Sequence, residues 1–331
     1  MSKPAILLCG SIVHSHEMWS SLSSIATLKI HDSGSRLEFV QKCKSGEFND
    51  VKVIVRTAPS VLLTGRFDEE LVAQLPPSVK FICHLGAGYD QVDIPPCTKR
   101  GIRVSNVPQA VDDSTADTAL FLMLGALRRF NRGLFALRRN EWRGADVTVG
   151  HDPQGKTLGI LGMGGIGRVL ARRARSFDMK IIYHNRKQLP PSEAADAEYV
   201  SFDELLARSD VLSLNLPLNP HTHHIIGEEQ FKKMKKGVVI VNTARGAVMD
   251  EDALVKALDD GTVFSAGLDV FEHEPKIHPG LMNNEHVMLL PHLGTNSIET
   301  QRKMEELWLN NGKNALLCNK LLTPVIEQKH L

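Results

Sequence analysis

The chain has 331 residues, enough for two domains, and its 42% hydrophobic content supports packed cores rather than disorder. Lys plus Arg number 39 against 38 Asp plus Glu, a net charge of +1, which lacks the basic excess of a nucleic-acid binder. The five cysteines are odd in number and scattered without CxxC or Cys/His zinc spacing, so neither a disulfide framework nor a metal site is expected.

The elements follow in order. The apolar run near the N-terminus is too short for a signal peptide and reads as a buried strand, Ala5–Cys9. Further strands are expected at Val51–Arg56, Lys80–His84 and Ile102–Ser105, with helices near Ser35–Lys44 and Asp68–Leu75. A long helix is expected from about Asp113 to Phe130, then a polar arm, Arg138–Gly155, carrying Trp142 and reading as a surface arm or subunit contact. A second series of strands comprises Thr157–Leu161, Lys180–His184, Val211–Leu216, Val238–Asn242, Ala266–Val270 and Val287–Leu290. Near-continuous β-branched runs of this kind suit strands buried on both faces of a parallel sheet. A last helix spans about Ser297 to Leu317.

The pattern is α/β, with two doubly wound parallel sheets. The two long helices read as connectors between domains. One domain is then discontinuous, 1–110 with 299–331, and the other is 111–298. No stretch approaches the ~20 apolar residues of a membrane helix. The C-terminal Lys329-His330-Leu331 lacks the small first residue of a peroxisomal address, so a cytoplasmic location is expected.

Gly162-Met163-Gly164-Gly165-Ile166-Gly167 follows a strand and opens a helix. Gly162 permits the tight turn, Gly164 lets backbone approach a pyrophosphate, and Gly167 allows close helix–strand packing. The helix N-terminus supplies N–H groups and positive partial charge to phosphates. At the end of the next strand an NAD site expects an acid that bonds the ribose hydroxyls. This chain has Asn185-Arg186-Lys187 there. Asn185 does not repel a 2′-phosphate, and Arg186 and Lys187 can pair with one, so NADP(H) is expected to be preferred, with NAD(H) as the second cofactor.

Three more stretches carry chemistry: Val241-Asn242-Thr243-Ala244-Arg245-Gly246, Gly267-Leu268-Asp269-Val270-Phe271-Glu272-His273-Glu274-Pro275 and Leu290-Pro291-His292-Leu293-Gly294-Thr295. Each lies past the carboxyl end of a strand, where open α/β sheets bind ligands. Singly, an Arg after a strand is usually solvated and a His beside Pro usually structural; it is their conjunction that points to a site. His221-Thr222-His223-His224 suggests a metal but has no partner cluster at familiar spacing, and Lys232–Lys236 reads as charge at a helix C-terminus.

With the glycine motif and His84-Leu85-Gly86-Ala87-Gly88-Tyr89-Asp90, these stretches resemble the D-isomer-specific 2-hydroxyacid dehydrogenases over about residues 50–317, and most of all their glyoxylate/hydroxypyruvate reductase branch. The resemblance implies two Rossmann-like domains with a cleft between them, a homodimer, and reduction of a small 2-keto acid to the D-2-hydroxy acid. It implies Arg245 as the grip on the substrate carboxylate, His292 as general acid/base and Glu274 as its partner. Glu274 is chosen over Glu272 because the family's acid directly precedes Pro. Leu85, Gly86, Ala87 and Gly88 would meet the substrate, with backbone N–H groups turned to its carboxylate. Asp269, Thr243 and Ala244 would hold the nicotinamide, with Gly294 also on the cofactor side. Leu216 and Pro217 would line the cofactor cleft, Thr222 would lie close to it, and Trp142 would reach a partner subunit. Substrate size is not legible in the sequence, because it depends on the placement of side chains near Arg56, Leu85, Trp142 and Trp308. A dinucleotide-sensing binding protein of the same fold is the competing reading. An enzyme for a phosphorylated hydroxy acid is a third, with Arg56 as its candidate cation.

Overall fold

The computed structural model describes residues 3–143 and 149–331. Part of the expected arm, 144–148, lies outside the described residues. The chain divides into two compact units, Met1–Val111 with Ser297–Leu331, and Asp112–Asn296.

The first unit holds β1 (Ala5–Cys9), β2 (Thr27–His31), β3 (Val51–Thr57), β4 (Phe81–Leu85) and β5 (Arg103–Ser105), in the order β2-β1-β3-β4-β5. Every pairing is parallel. Parallel sheets need cover on both faces, and β1, β3 and β4 are buried nearly throughout. The helix Arg36–Ser45 starts on a capping box, Ser35 with Glu38, and stops at Gly46 with φ +89°. The last helix, Ile298–Cys318, returns to this unit. There Trp308 is fully buried and its indole N–H donates to the Cys83 carbonyl at 2.9 Å. Trp308 is therefore a core residue of β4's back face, not a determinant of substrate size. The strand β2 was not expected from the sequence. It is an edge strand with Ile30 exposed, so its hydrophobic pattern is broken.

The second unit holds β6 (Thr157–Leu161), β7 (Lys180–His184), β8 (Glu198–Tyr199), β9 (Val211–Leu214), β10 (Val238–Asn242), β11 (Val263–Leu268) and β12 (Val287–Leu289). The order is β12-β11-β10-β9-β6-β7-β8, again all parallel. The chain winds outward in both directions from β6 and β9. Their carboxyl ends form the topological switch point where such sheets take a ligand.

Several expected boundaries move, and β9, for one, ends at Leu214 rather than Leu216. The strand β11 runs Val263–Leu268 rather than 266–270, which leaves Asp269 just beyond it. The helix expected from about Asp113 to Phe130 is Asp112–Leu127, and a further helix that was not expected, Phe130–Arg138, follows it after Arg129 at φ +51°. Among the described residues no helix is long and apolar enough to cross a membrane.

Candidate active site

All the chemistry-bearing stretches of the second unit sit on loops leaving strand carboxyl ends. Gly162 follows β6, Asn185 follows β7, Leu216 follows β9, Thr243–Arg245 follow β10, Asp269 follows β11 and His292 follows β12.

The candidate set is built around Asp269. Its backbone carbonyl accepts the His292 N–H at 2.8 Å. Its carboxylate accepts the next two N–H groups, from Leu293 at 2.6 Å and Gly294 at 2.8 Å. These bonds hold His292 at φ +57°, a left-handed backbone that costs a non-glycine residue about 1–2 kcal/mol. Asp269 is 1% exposed, and that burial pushes its carboxyl above the usual range despite the two N–H donors.

The imidazole so placed bonds Glu274, with Nδ1 and Oε2 2.9 Å apart. The other oxygen of Glu274 accepts the Phe271 N–H at 3.0 Å. Burial pushes the Glu274 carboxyl up. The His292 bond, the Phe271 N–H and the charges of His292 and Arg245 more than reverse it, and the net shift is downward. Glu274 thus stays ionised, and both His292 and Arg245 act on it, so the three side chains share one electrostatic neighbourhood. Arg245 is half-buried, with Nη1 donating to the Ala244 carbonyl at 2.7 Å.

The turn carrying Arg245 is pressed against the loop carrying Glu274. A Cβ on Gly246 would lie 1.8 Å from the Phe271 carbonyl carbon, so the glycine after Arg245 is a packing requirement. A brace locks the same two segments. His224 donates its N–H to the Ala247 carbonyl at 2.9 Å, and its Nε2 lies 2.7 Å from Glu272 Oε1. The Glu272 N–H in turn reaches the buried Glu251 carboxylate at 2.9 Å. The two rival acids therefore divide: Glu274 faces His292 and Glu272 faces His224. Sequence spacing gave no sign of the second pairing, because 48 positions separate its members. His223, His224 and Glu272 bring potential ligand atoms within 4.8 Å. The hydrogen-bonded brace engages two of the three, His224 and Glu272, and the His223 ring stacks on that of His224.

The dinucleotide turn divides its glycines by task. Gly162 has φ +99° and Gly167 has no room for a side chain, since a Cβ there would sit 2.6 Å from the Gly162 carbonyl. A Cβ on Gly164 would meet nothing within 4 Å. The helix Gly165–Arg175 begins with no side-chain cap, which leaves its first-turn N–H groups for an anion. Thr243 Oγ1 is buried without a partner. Open backbone at Gly164, an uncapped helix start and an orphaned hydroxyl at the next strand ends fit a nicotinamide dinucleotide.

Met163 is buried, Gly165 abuts Asp112, and Ile166 packs on the core beneath. The Asn185 Oδ1 accepts the Met163 N–H at 2.7 Å, tying β7 to the glycine turn. Arg186 and Lys187 are exposed, with no ion-pair partner among the described residues. Leu216 is half-buried and Pro217 exposed. The Thr222 hydroxyl donates to the Pro217 carbonyl at 2.6 Å, so it shapes that loop.

In the first unit, the turn after β4 has all its carbonyls tied. Val107 N–H holds Gly86 O at 2.9 Å, Asn106 Nδ2 holds Ala87 O at 2.7 Å, and His84 Nε2 holds Gly88 O at 2.9 Å. The expectation for Gly86 needs correction: its N–H bonds back to the His84 carbonyl at 3.2 Å. The N–H groups of Ala87 and Gly88 are left without a partner among the described residues, and Leu85 is half-buried beside them. Arg56 is fully buried and bonded inside this unit, which removes it as a cation for a phosphorylated substrate.

A parallel sheet with a glycine-rich turn at its switch point, and an acid–imidazole pair beside an arginine at neighbouring strand ends, defines a nicotinamide-dependent oxidoreductase. Comparison with known proteins narrows the class. Residues 120–294 match the family model for the NAD-binding domain of the D-isomer specific 2-hydroxyacid dehydrogenases. The chain is 58% identical over 328 residues to 4-methyl-2-oxopentanoate reductase A of Aspergillus oryzae, covering 99% of each. It is similar to the crystal structure of a glyoxylate reductase from Paecilomyes thermophila, with a TM-score of 0.98, 58% identity, and 99% and 100% of the two chains covered. It is also similar to the NADPH-dependent glyoxylate/hydroxypyruvate reductase of Sinorhizobium meliloti in complex with NADP and malonate, with a TM-score of 0.86, 30% identity and 98% of each chain covered. The chain belongs to the D-isomer specific 2-hydroxyacid dehydrogenase family. It is an enzyme that uses a nicotinamide dinucleotide to reduce a 2-keto acid, and the sensor reading is not favoured.

Proposed function

We propose that the enzyme reduces a small 2-keto acid, glyoxylate or a branched 2-oxo acid, to the D-2-hydroxy acid, with NADPH preferred over NADH. The reduced nicotinamide supplies the hydride when bound. Arg245 grips the substrate carboxylate through its planar donor fork. His292 Nε2 delivers a proton to the carbonyl oxygen and takes it back in the reverse direction. Glu274 fixes the ring through Nδ1 and stabilises the imidazolium. Asp269 sets the backbone that aims the ring. Thr243, Ala244 and Gly294 lie at the same strand ends and would contact the nicotinamide end of the cofactor, with Leu216, Pro217 and Thr222 nearby. The observation that carries this reading is the 2.9 Å His292–Glu274 pair beside Arg245.

The NADPH preference rests on Asn185, whose amide replaces the acid an NAD site uses, and on the exposed cations Arg186 and Lys187 that follow it. The bound NADP in the Sinorhizobium reductase supports it. A homodimer is supported by exposed Phe121, Phe130, Leu134 and Leu137 on two consecutive helices, with Trp142 following them. Four buried free thiols suit a reducing compartment such as the cytoplasm.

The test is kcat/KM for NADPH and NADH against glyoxylate, hydroxypyruvate and 4-methyl-2-oxopentanoate. NADPH should be favoured by at least ~tenfold, and Arg186→Ala with Lys187→Ala should erase that margin. A wild-type enzyme that prefers NADH overturns the cofactor proposal, and no turnover with any of the three acids overturns the substrate proposal.

A further inference from the structure

Arg56 and His84 face each other across neighbouring parallel strands. They are register partners on β3 and β4, and both side chains are buried. The Arg56 Nη1 lies 2.7 Å from His84 Nδ1. Its Nη2 donates to Gln91 Oε1 at 2.7 Å, and its guanidinium carbon lies 5.4 Å from the centre of the Phe67 ring. A guanidinium only donates hydrogen bonds, so His84 Nδ1 must accept. That places the imidazole proton on Nε2, which is 2.9 Å from the Gly88 carbonyl and so donates to it. The ring crosses the inside of the turn, where a Cβ on Gly86 would lie 2.8 Å from His84 Nε2.

Burial pulls the Arg56 guanidinium down to about 10, so it remains charged at neutral pH. A buried cation bonded to an imidazole and an amide is a poor choice for stability alone; an apolar side chain of that volume would serve the core better. What the cation does provide is a one-way hydrogen-bond chain into the turn that leaves the Ala87 and Gly88 N–H groups unpartnered.

We propose that Arg56 and His84 are positioning residues for the substrate. Arg56 sets the tautomer of His84, and His84 then pins the Gly88 carbonyl, fixing the exit of the turn next to the two peptide planes, held through their own carbonyls by Val107 and Asn106, whose Ala87 and Gly88 N–H groups receive the carboxylate of the 2-keto acid. The inference rests on the reading of this turn as the carboxylate's seat. It extends that reading inward to two residues with no exposed surface at the substrate.

Steady-state kinetics on full-length variants tests it, with NADPH binding followed by fluorescence and melting temperature followed in parallel. Arg56→Met should raise KM for the keto acid about tenfold, and Arg56→Lys, which still donates to Nδ1, should restore it to within about twofold. At position 84 the amides separate the two bonds. In His84→Gln the amide nitrogen reaches the Nε2 position and keeps the Gly88 contact. In His84→Asn the amide accepts from Arg56 but falls short of Gly88. KM should therefore rise about tenfold in His84→Asn and stay within about twofold in His84→Gln, with NADPH affinity unchanged throughout. Ala87→Pro removes an N–H from the turn itself and should raise KM. An unchanged KM in Ala87→Pro means the carboxylate does not sit there. A raised KM in Ala87→Pro with no effect in Arg56→Met and His84→Asn overturns only the relay. Parallel loss in both His84 variants, tracking their melting temperatures, assigns the pair a purely structural role and overturns it as well.

Discussion

His292 combines three local facts: a left-handed backbone, an N–H held by the Asp269 carbonyl, and an imidazole held by Glu274. Strain of this kind persists only where neighbours over-determine it, and here Asp269 grips the chain on both sides of the ring. His292→Ala should lower kcat at least ~100-fold, the usual scale of a general acid, with KM for the cofactor little changed. Steady-state assays check this, and a nearly active variant removes His292 from the mechanism.

The pH dependence has a definite sign. Keto-acid reduction takes up a proton and oxidation of the hydroxy acid releases one, so the rate of reduction should fall as pH rises while that of oxidation should rise. Glu274 is held below its ordinary 4.5, so the folded state favours its ionised form. Its contribution to stability is full above that value and is lost as pH falls through the depressed one. The charge of the pair should therefore survive to below pH 4.5, and Glu274→Gln should remove that acid-side dependence and slow reduction. Profiles in both directions that fall together on the alkaline side would dismiss the assignment.

At the scale of elements, the glycine turn separates folding from binding. Gly167→Ala forces a Cβ against the Gly162 carbonyl at 2.6 Å and should cost about 1–3 kcal/mol, seen as a lowered melting temperature. Gly164→Ala meets open space, so stability should hold while cofactor affinity falls about tenfold or more. Equal losses of stability in both would mean that Gly164 is structural too.

The helix Ile298–Cys318 offers a second case. Its Glu305 is buried and accepts three backbone N–H groups, from Val13, His14 and Ser15, each at 2.8 Å. Glu305→Ala strands those donors and should cost about 3 kcal/mol by denaturant unfolding. The carboxylate joins segments almost 300 residues apart, which is how the C-terminal helix completes the first unit.

At the scale of the whole molecule, exposed apolar residues on the helices Asp112–Leu127 and Phe130–Arg138 lead to the prediction of a dimer. Light scattering should give twice the 36.6 kDa of one chain, and Leu134→Glu with Leu137→Glu should return it to that mass. A monomer in the wild type ends that proposal.

The α/β class and the carboxyl ends bearing the glycine turn, Arg245, Asp269 and His292 were legible in the residues alone, because parallel strands buried on both faces announce themselves as apolar runs and the turns between them need particular residues. The edge strand β2 was not legible, because half-exposed strands carry no such run. Partners were the other thing only the tertiary structure decided: Glu272 with His224, Arg56 with His84, Trp308 with the Cys83 carbonyl, and the Gly86 N–H turned back on its own strand. Local pattern reports how a segment is shaped and which side is apolar. A hydrogen bond between residues tens or hundreds of positions apart depends on where packing brings two segments together, and that information is not local to either one.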